Sequence, residues 1–277
     1  MSYSQVLIHI PVYRIFIGKQ LFILFEKHKH NLLYTCYNMK TYKYYGRADG
    51  IGNRIEQLMQ FQEFCDKENA KCIYIWNNSH NREYLPLIEF PNIEIIDQIS
   101  LDILKLETCL SLRSKDYQIP YRFLFDPPPI PIPYDVIIHV RGTDRIQDKP
   151  THPDFSTQDT LDSYIEQTIH YLNTHDSIQT YTIVSDESKY IDLMRERIVK
   201  TFVSLSYPDN IQPEWIDFYY LTQATQYVFM CSQFSSFSAT AAVISNTKLL
   251  IFANSLKSSL KGYQAKLEIV DNTTDSC

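Results

Sequence analysis

The side chains best suited to chemistry fall in one short run. From Pro133 to Arg145 the sequence reads PYDVIIHVRGTDR, where an apolar stretch (Val136, Ile137, Ile138) stops on His139, Arg141, Gly142, Thr143 and Asp144. A guanidinium can fork onto two phosphate oxygens and stays charged in a partly dry cleft. Gly142 leaves room for a phosphate against the backbone, and His139, two residues before Arg141, shares its strand face. Asp144 and Asp148 are carboxylates able to orient a hydroxyl or accept its proton. Such a set suits binding of an anionic ligand and transfer chemistry at a hydroxyl. The same pattern also fits an ordinary strand end, with His139 in the core and Asp148 solvated.

Two further clusters and two single carboxylates carry similar residue types. Glycine is scarce, six in 277 residues, yet Gly46, Gly50 and Gly52 crowd into YYGRADGIGNRIEQL. Glycines before a helix admit close approach of a ligand, and the helix start offers free amides to an anion, with Asn53 and Arg54 in the first turn pointing into a cleft. A tight strand-to-helix turn with Asn53 as a cap explains the same residues. In YVFMCSQFSSFSATAA a strand runs through Ser232 to Ser235 and Ser236 and then into a small-residue helix, the pattern of a phosphate cradle or of a serine N-cap. Asp186 follows the apolar Thr182–Val184, facing the cleft or capping the next helix. Asp217 stands on the amphipathic segment EWIDFYYL, where a lone aspartate usually meets solvent.

The elements that must position these groups alternate along the chain. Apolar residues at helical spacing run through Ile51–Asn69 (Ile51, Ile55, Leu58, Phe61, Phe64, Cys65), and Lys71–Trp76 and Ile93–Ile96 read as buried strands. DPPPIPIP, with five prolines in the eight residues 126–133, excludes helix and central strand and marks a linker. Beyond it come strand 136–140, helix 160–173, strand 181–184, helix 188–200, a short strand 202–205, helix 215–223, strand 227–231, helix 236–245 and strand 249–252. This alternation predicts an α/β chain with parallel sheets in both halves. The expected organisation is a Rossmann-like domain over 1–126, a proline-rich linker over 127–133 and a second Rossmann-like domain over 134–277, facing a central cleft.

Composition narrows the function classes. The net charge of -6, with no long basic stripe, removes the footprint of a general nucleic-acid binder. His9, Arg14 and Lys19 interrupt the apolar N-terminus, so neither a signal peptide nor an integral membrane segment is expected. Six cysteines without a CxxC pair or metal-ligand spacing favour a reduced, cytoplasmic setting over a disulfide scaffold or zinc.

Taken in order, these segments resemble the fucosyltransferase superfamily of alpha-1,6-, alpha-1,2- and protein O-fucosyltransferases. GIGNRIEQL at 50–58 is similar to the family's glycine-Asn-Arg helix start, and HVRGTDR at 139–145 to its His-hydrophobic-Arg-Arg-Thr-Asp segment. IVSDES at 183–188 is similar to its strand-end acidic motif, and 217–242 to its final Asp, Leu-Ser-Gln and Ser-Ser signature. The resemblance implies a GT-B fold and an inverting glycosyltransferase that moves fucose or a related sugar from a GDP-sugar to a glycan or glycoprotein hydroxyl. It implies that Arg141 holds the donor diphosphate, with His139, Gly142, Thr143, Asp144 and Asp186 around it. Asp217 would read the guanine, Ser235 and Ser236 would contact phosphate, and Gly50, Gly52, Asn53 and Arg54 would lie on the acceptor side. No DxD triplet is present, so no metal and no resident cofactor are expected. Asp148 and Asp144 are the carboxylates placed to deprotonate the acceptor.

The family's second arginine is Gly142 here, with Arg145 or Arg54 in reach to replace the charge. The change keeps open a donor such as a UDP-pentose. It also keeps open a non-catalytic carbohydrate- or nucleotide-binding module of the same fold.

Overall fold

A computed structural model describes residues 12–17, 20–25, 33–35, 41–47, 49–78, 84–97, 120–142, 146–150, 155–232, 235–252 and 267–270. VYRIFI and QLFILF are rich in β-branched and aromatic residues, the composition that favours extended chain. They form β1 (Val12–Ile17) and β2 (Gln20–Phe25), which pair antiparallel, and β3 (Leu33–Thr35) adds to β2 in the same sense. Parallel pairing does not therefore extend to the start of the chain, because strands this close in sequence join by short connections.

A parallel unit follows. β4 (Thr41–Tyr45) leads through α1 (Ile51–Glu68) to β5 (Lys71–Trp76). β6 (Ile88–Glu89), β7 (Ile93–Asp97) and β8 (Arg122–Phe123) come next. The sheet order is β4-β5-β7, all parallel, while β6 and β8 pair antiparallel beside it. The helical spacing of Ile51, Ile55, Leu58, Phe61 and Cys65 puts all five in the core. Asn69 ends the helix in the left-handed region, at φ 47°, which asparagine tolerates better than most residues. Residues 126–133 are neither helix nor strand, as five prolines require, and Ile130 packs against the core.

The second half contributes β9 (Val136–Val140), α2 (Gln158–Thr174), β10 (Thr180–Ser185) and α3 (Ser188–Arg197). β11 (Thr201–Phe202), α4 (Pro213–Leu221), β12 (Tyr227–Met230), α5 (Ser236–Ile244), β13 (Lys248–Phe252) and β14 (Leu267–Val270) complete it. Its six strands are all parallel, in the order β11-β10-β9-β12-β13-β14. Counted from β9, that is 3-2-1-4-5-6, the order of doubly wound Rossmann-like sheets. All five β9 residues are buried, as expected for a central parallel strand covered on both faces.

Alternation along β9 divides the core. Val136, Ile138 and Val140 join α2 and α3 residues such as Leu161, Ile165 and Met194 on one face. Ile137 joins the other face, under α4 and α5, and the same cluster takes in Ile51, Leu58 and Trp76 of the first half. Trp76 and Trp215 lie with ring centroids 6.3 Å apart, and the Trp215 indole donates to Leu85 O at 2.8 Å. One hydrophobic core thus spans both parallel sheets. Among the described residues no helix is long and apolar enough to cross a membrane.

Candidate functional site at the sheet's switch point

In an open parallel sheet ligands bind beyond the carboxyl ends of the strands, at the place where the strand order reverses. Here that place lies between β9 and β12, which pair side by side with Met230 opposite His139. Pairing continues one step further, where Cys231 N donates to His139 O at 3.0 Å. Arg141–Gly142 and Ser232 are the residues that leave the sheet at this crevice. His139 points to the α5 side: its Nδ1 lies 2.5 Å from Ser238 Oγ, and its ring centroid 5.5 Å from that of Phe237. Beyond Val140, Arg141 is half-buried and Gly142 faces α3, where a Cβ would meet the Tyr190 ring.

Gly142 differs from the expectation. The space expected for a phosphate is filled by α3: a Cβ on Gly142 would stand 2.6 Å from the Tyr190 ring and 2.7 Å from Glu187 Oε1. A side chain at this position would require Tyr190 and Glu187 to shift. Asp186 does not cap α3 either. Glu187 occupies the N-cap position without a side-chain cap, while Asp186 Oδ1 accepts the Gly142 amide at 2.9 Å.

Across from β9, α5 starts without a side-chain cap. Ser235 holds the N-cap position but its side chain makes no capping bond. Its Oγ is buried without a hydrogen-bond partner, and its amide donates to Met230 Sδ at 3.2 Å. An orphaned buried hydroxyl costs about 1–3 kcal/mol, so a ligand that bonded it would recover that loss. Ser236 is half-buried in the first turn, where free amides favour an anion.

Asp217 is not simply solvated. Pro213 sets the first turn of α4, and Asp217 accepts the Tyr207 hydroxyl at 2.7 Å. Tyr220 secures the loop carrying Tyr207, donating to Ser206 O at 2.7 Å and accepting from Ser206 N at 3.1 Å. Burial pushes the Asp217 carboxyl up to about 7, with Glu214 and Asp186 adding to the rise and the Tyr207 bond opposing it. Tyr207 lies in the loop that follows β11, at the carboxyl end of the parallel strands, so Asp217 belongs to the same end of the sheet as Arg141.

The N-terminus of α1 corrects the acceptor-side expectation. Gly52 does not open the backbone to a ligand: a Cβ there would meet Phe237 Cα at 2.6 Å, and Thr240 Oγ1 donates to Gly52 O at 3.2 Å. The glycine is what lets α1 seat against the first turn of α5. Arg54 is fully buried, 4.8 Å from the Trp76 ring centroid and 5.4 Å from that of Tyr84, with Nε on Asp49 O and Nη1 on Asn78 Oδ1. It cannot replace a missing guanidinium in the crevice. Gly50 is exposed at the N-cap, and half-buried Asn53 turns back, donating Nδ2 to Asp49 Oδ2 at 2.9 Å rather than capping the helix.

Thr143, Asp144 and Arg145 lie outside the described residues, and Asp148 is exposed between β9 and α2. The structure therefore brings Arg141, His139, Asp186, Asp217, Ser235 and Ser236 to one end of the sheet. Sequence reasoning missed Tyr190, Tyr207 and Ser238, whose parts depend on packing between segments distant in the chain. Among the described residues no three of His, Cys, Asp and Glu form a group able to hold a metal ion. Compared with known proteins, the chain matches no family model and no curated protein, so the reading of this crevice rests on its own geometry.

Proposed function

We propose that the protein is an inverting glycosyltransferase that binds a nucleotide-sugar, GDP-fucose or a close relative, at the β9/β12 switch point. In this reading the chain has a GT-B-like organisation, with acceptor-side residues before the proline-rich segment 127–133 and donor-side residues after it. The observation that carries the reading is the unpartnered Ser235 hydroxyl at the uncapped start of α5, beside the strand end bearing Arg141. That pairing suits a diphosphate, which takes one charge-assisted fork from a guanidinium and short bonds from hydroxyls and helix amides. Asp217, held by Tyr207, suits the N–H edge of a guanine.

In the reaction an acceptor hydroxyl oxygen attacks the anomeric carbon as the bond to the diphosphate breaks. The acceptor proton passes to a carboxylate, for which Asp148 is the described candidate, and the nucleoside diphosphate leaves. Charge grows on the leaving oxygens, so Arg141 and the α5 amides act by electrostatic stabilisation.

The test is thermal unfolding of the full chain with GDP or UDP, followed by GDP release from GDP-fucose across a glycan panel. A ligand at 100 times its Kd stabilises by about 2.7 kcal/mol, a shift of several degrees. GDP should produce it and UDP should not. No shift with either nucleotide would overturn the reading. Binding without release would favour the non-catalytic module, to which the filled space at Gly142 also points.

A further inference from the structure

We propose that Asp186 is a positioning residue: with Glu187 and Tyr190 it locks the turn after β9 and so sets the direction of Arg141. The proposal rests on the reading of Arg141 as the anion-binding group. Ser185 pairs opposite Val140, so the two strands end together and Asp186 emerges level with Arg141. From there its Oδ1 takes the Gly142 amide at 2.9 Å. The Cβ side of Gly142 is closed by the Tyr190 ring and Glu187 Oε1, which a Cβ there would meet at 2.6 and 2.7 Å. Tyr190 is itself buried in the α3 face of the core, so this wall is rigid.

The consequence is mechanical. A residue leaving a strand normally has several turns open to it, each aiming its side chain differently. Here the turn is tied at the amide following Arg141 and walled by a packed ring, so the guanidinium enters the crevice already aimed. Asp186 follows a different strand from the one Arg141 follows, and it acts through a backbone amide. Its carboxylate serves as a hydrogen-bond acceptor, a task an asparagine oxygen can perform.

The chain has six glycines, and Arg141–Gly142 is its one Arg-Gly pair. Labelling arginine with carbonyl carbon-13 and glycine with nitrogen-15 therefore picks out the Gly142 amide alone by NMR. Asp186→Ala should move that signal and speed its hydrogen exchange, while Asp186→Asn should leave it close to wild type. GDP affinity should fall about 10- to 100-fold in Asp186→Ala, the scale of a misplaced binding group, and recover in Asp186→Asn. Asp186 is exposed, so neither variant threatens folding. An unmoved Gly142 signal in Asp186→Ala would overturn the lock. So would wild-type GDP affinity in Asp186→Ala when Arg141→Ala has lost binding. Wild-type affinity in Arg141→Ala would instead defeat the functional reading on which the proposal rests.

Discussion

Two regions of this chain pair a glycine with an arginine near a helix or strand end, and they use the pair in opposite ways. At 50–54, Gly52 and Arg54 build structure: the glycine admits the first turn of α5, and the guanidinium lies buried among Trp76, Tyr84, Asp49 and Asn78. At 141–142 the glycine is again a packing device, pressed against Tyr190, but its arginine emerges at the switch point of a six-stranded parallel sheet. The difference teaches that the environment of the guanidinium separates a site from a brace. Arg54 is enclosed by aromatic faces and backbone oxygens deep in the core, whereas Arg141 is half-buried at a strand end that faces an uncapped helix.

The sharpest way to break this comparison is to remove both arginines separately. Arg141→Ala should lower turnover about 100- to 1,000-fold, the size of one lost charge-stabilising contact, with little change in Tm. Arg54→Ala should do the reverse, costing roughly 3 kcal/mol of stability for its charged hydrogen bonds while the remaining folded molecules keep their turnover. Equal effects of the two changes on turnover, measured per folded molecule, would erase the distinction.

A smaller effect belongs to Ser235. Its unpartnered hydroxyl burdens the free protein, so Ser235→Ala should hold or slightly raise Tm while weakening GDP by about tenfold, the equivalent of about 1.4 kcal/mol. Calorimetric titration showing unchanged affinity would separate α5 from the proposed nucleotide site.

The smallest effect concerns pH. The Asp217 carboxyl is raised to about 7 in the folded chain, above its unfolded value, so the native state favours the protonated form. The associated stability is present below the unfolded value and is lost as pH rises to about 7. Asp217→Asn should therefore raise Tm at pH 8 more than at pH 5. Guanine N–H groups require the carboxylate, so GDP affinity should fall as pH drops through 7 in the wild type and stay flat in the variant. A pH-independent affinity in the wild type would remove Asp217 from the proposed nucleotide site.

The alternation of strands and helices from Ile51 onward was legible because burial on both faces of a parallel sheet demands continuous apolar runs, and helices must show a stripe. Arg141, Asp186 and Ser235 were legible as candidates because each follows an apolar strand. Gly52 and Arg54 were misread because a glycine that admits a ligand and one that admits a helix look identical in sequence. The antiparallel β1–β3 segment and the pairing of β6 with β8 depended on partners that local pattern does not name.

By itself the sequence determined the kinds of element, their order and the residue types at each strand end, because these follow from local periodicity and backbone chemistry. Tertiary structure alone decided which strands became neighbours, that Tyr190 fills the space beside Gly142, and that Asp217 meets Tyr207. Those outcomes depend on contacts between residues far apart in the chain, and contact distance, desolvation and steric exclusion exist only once the chain is packed.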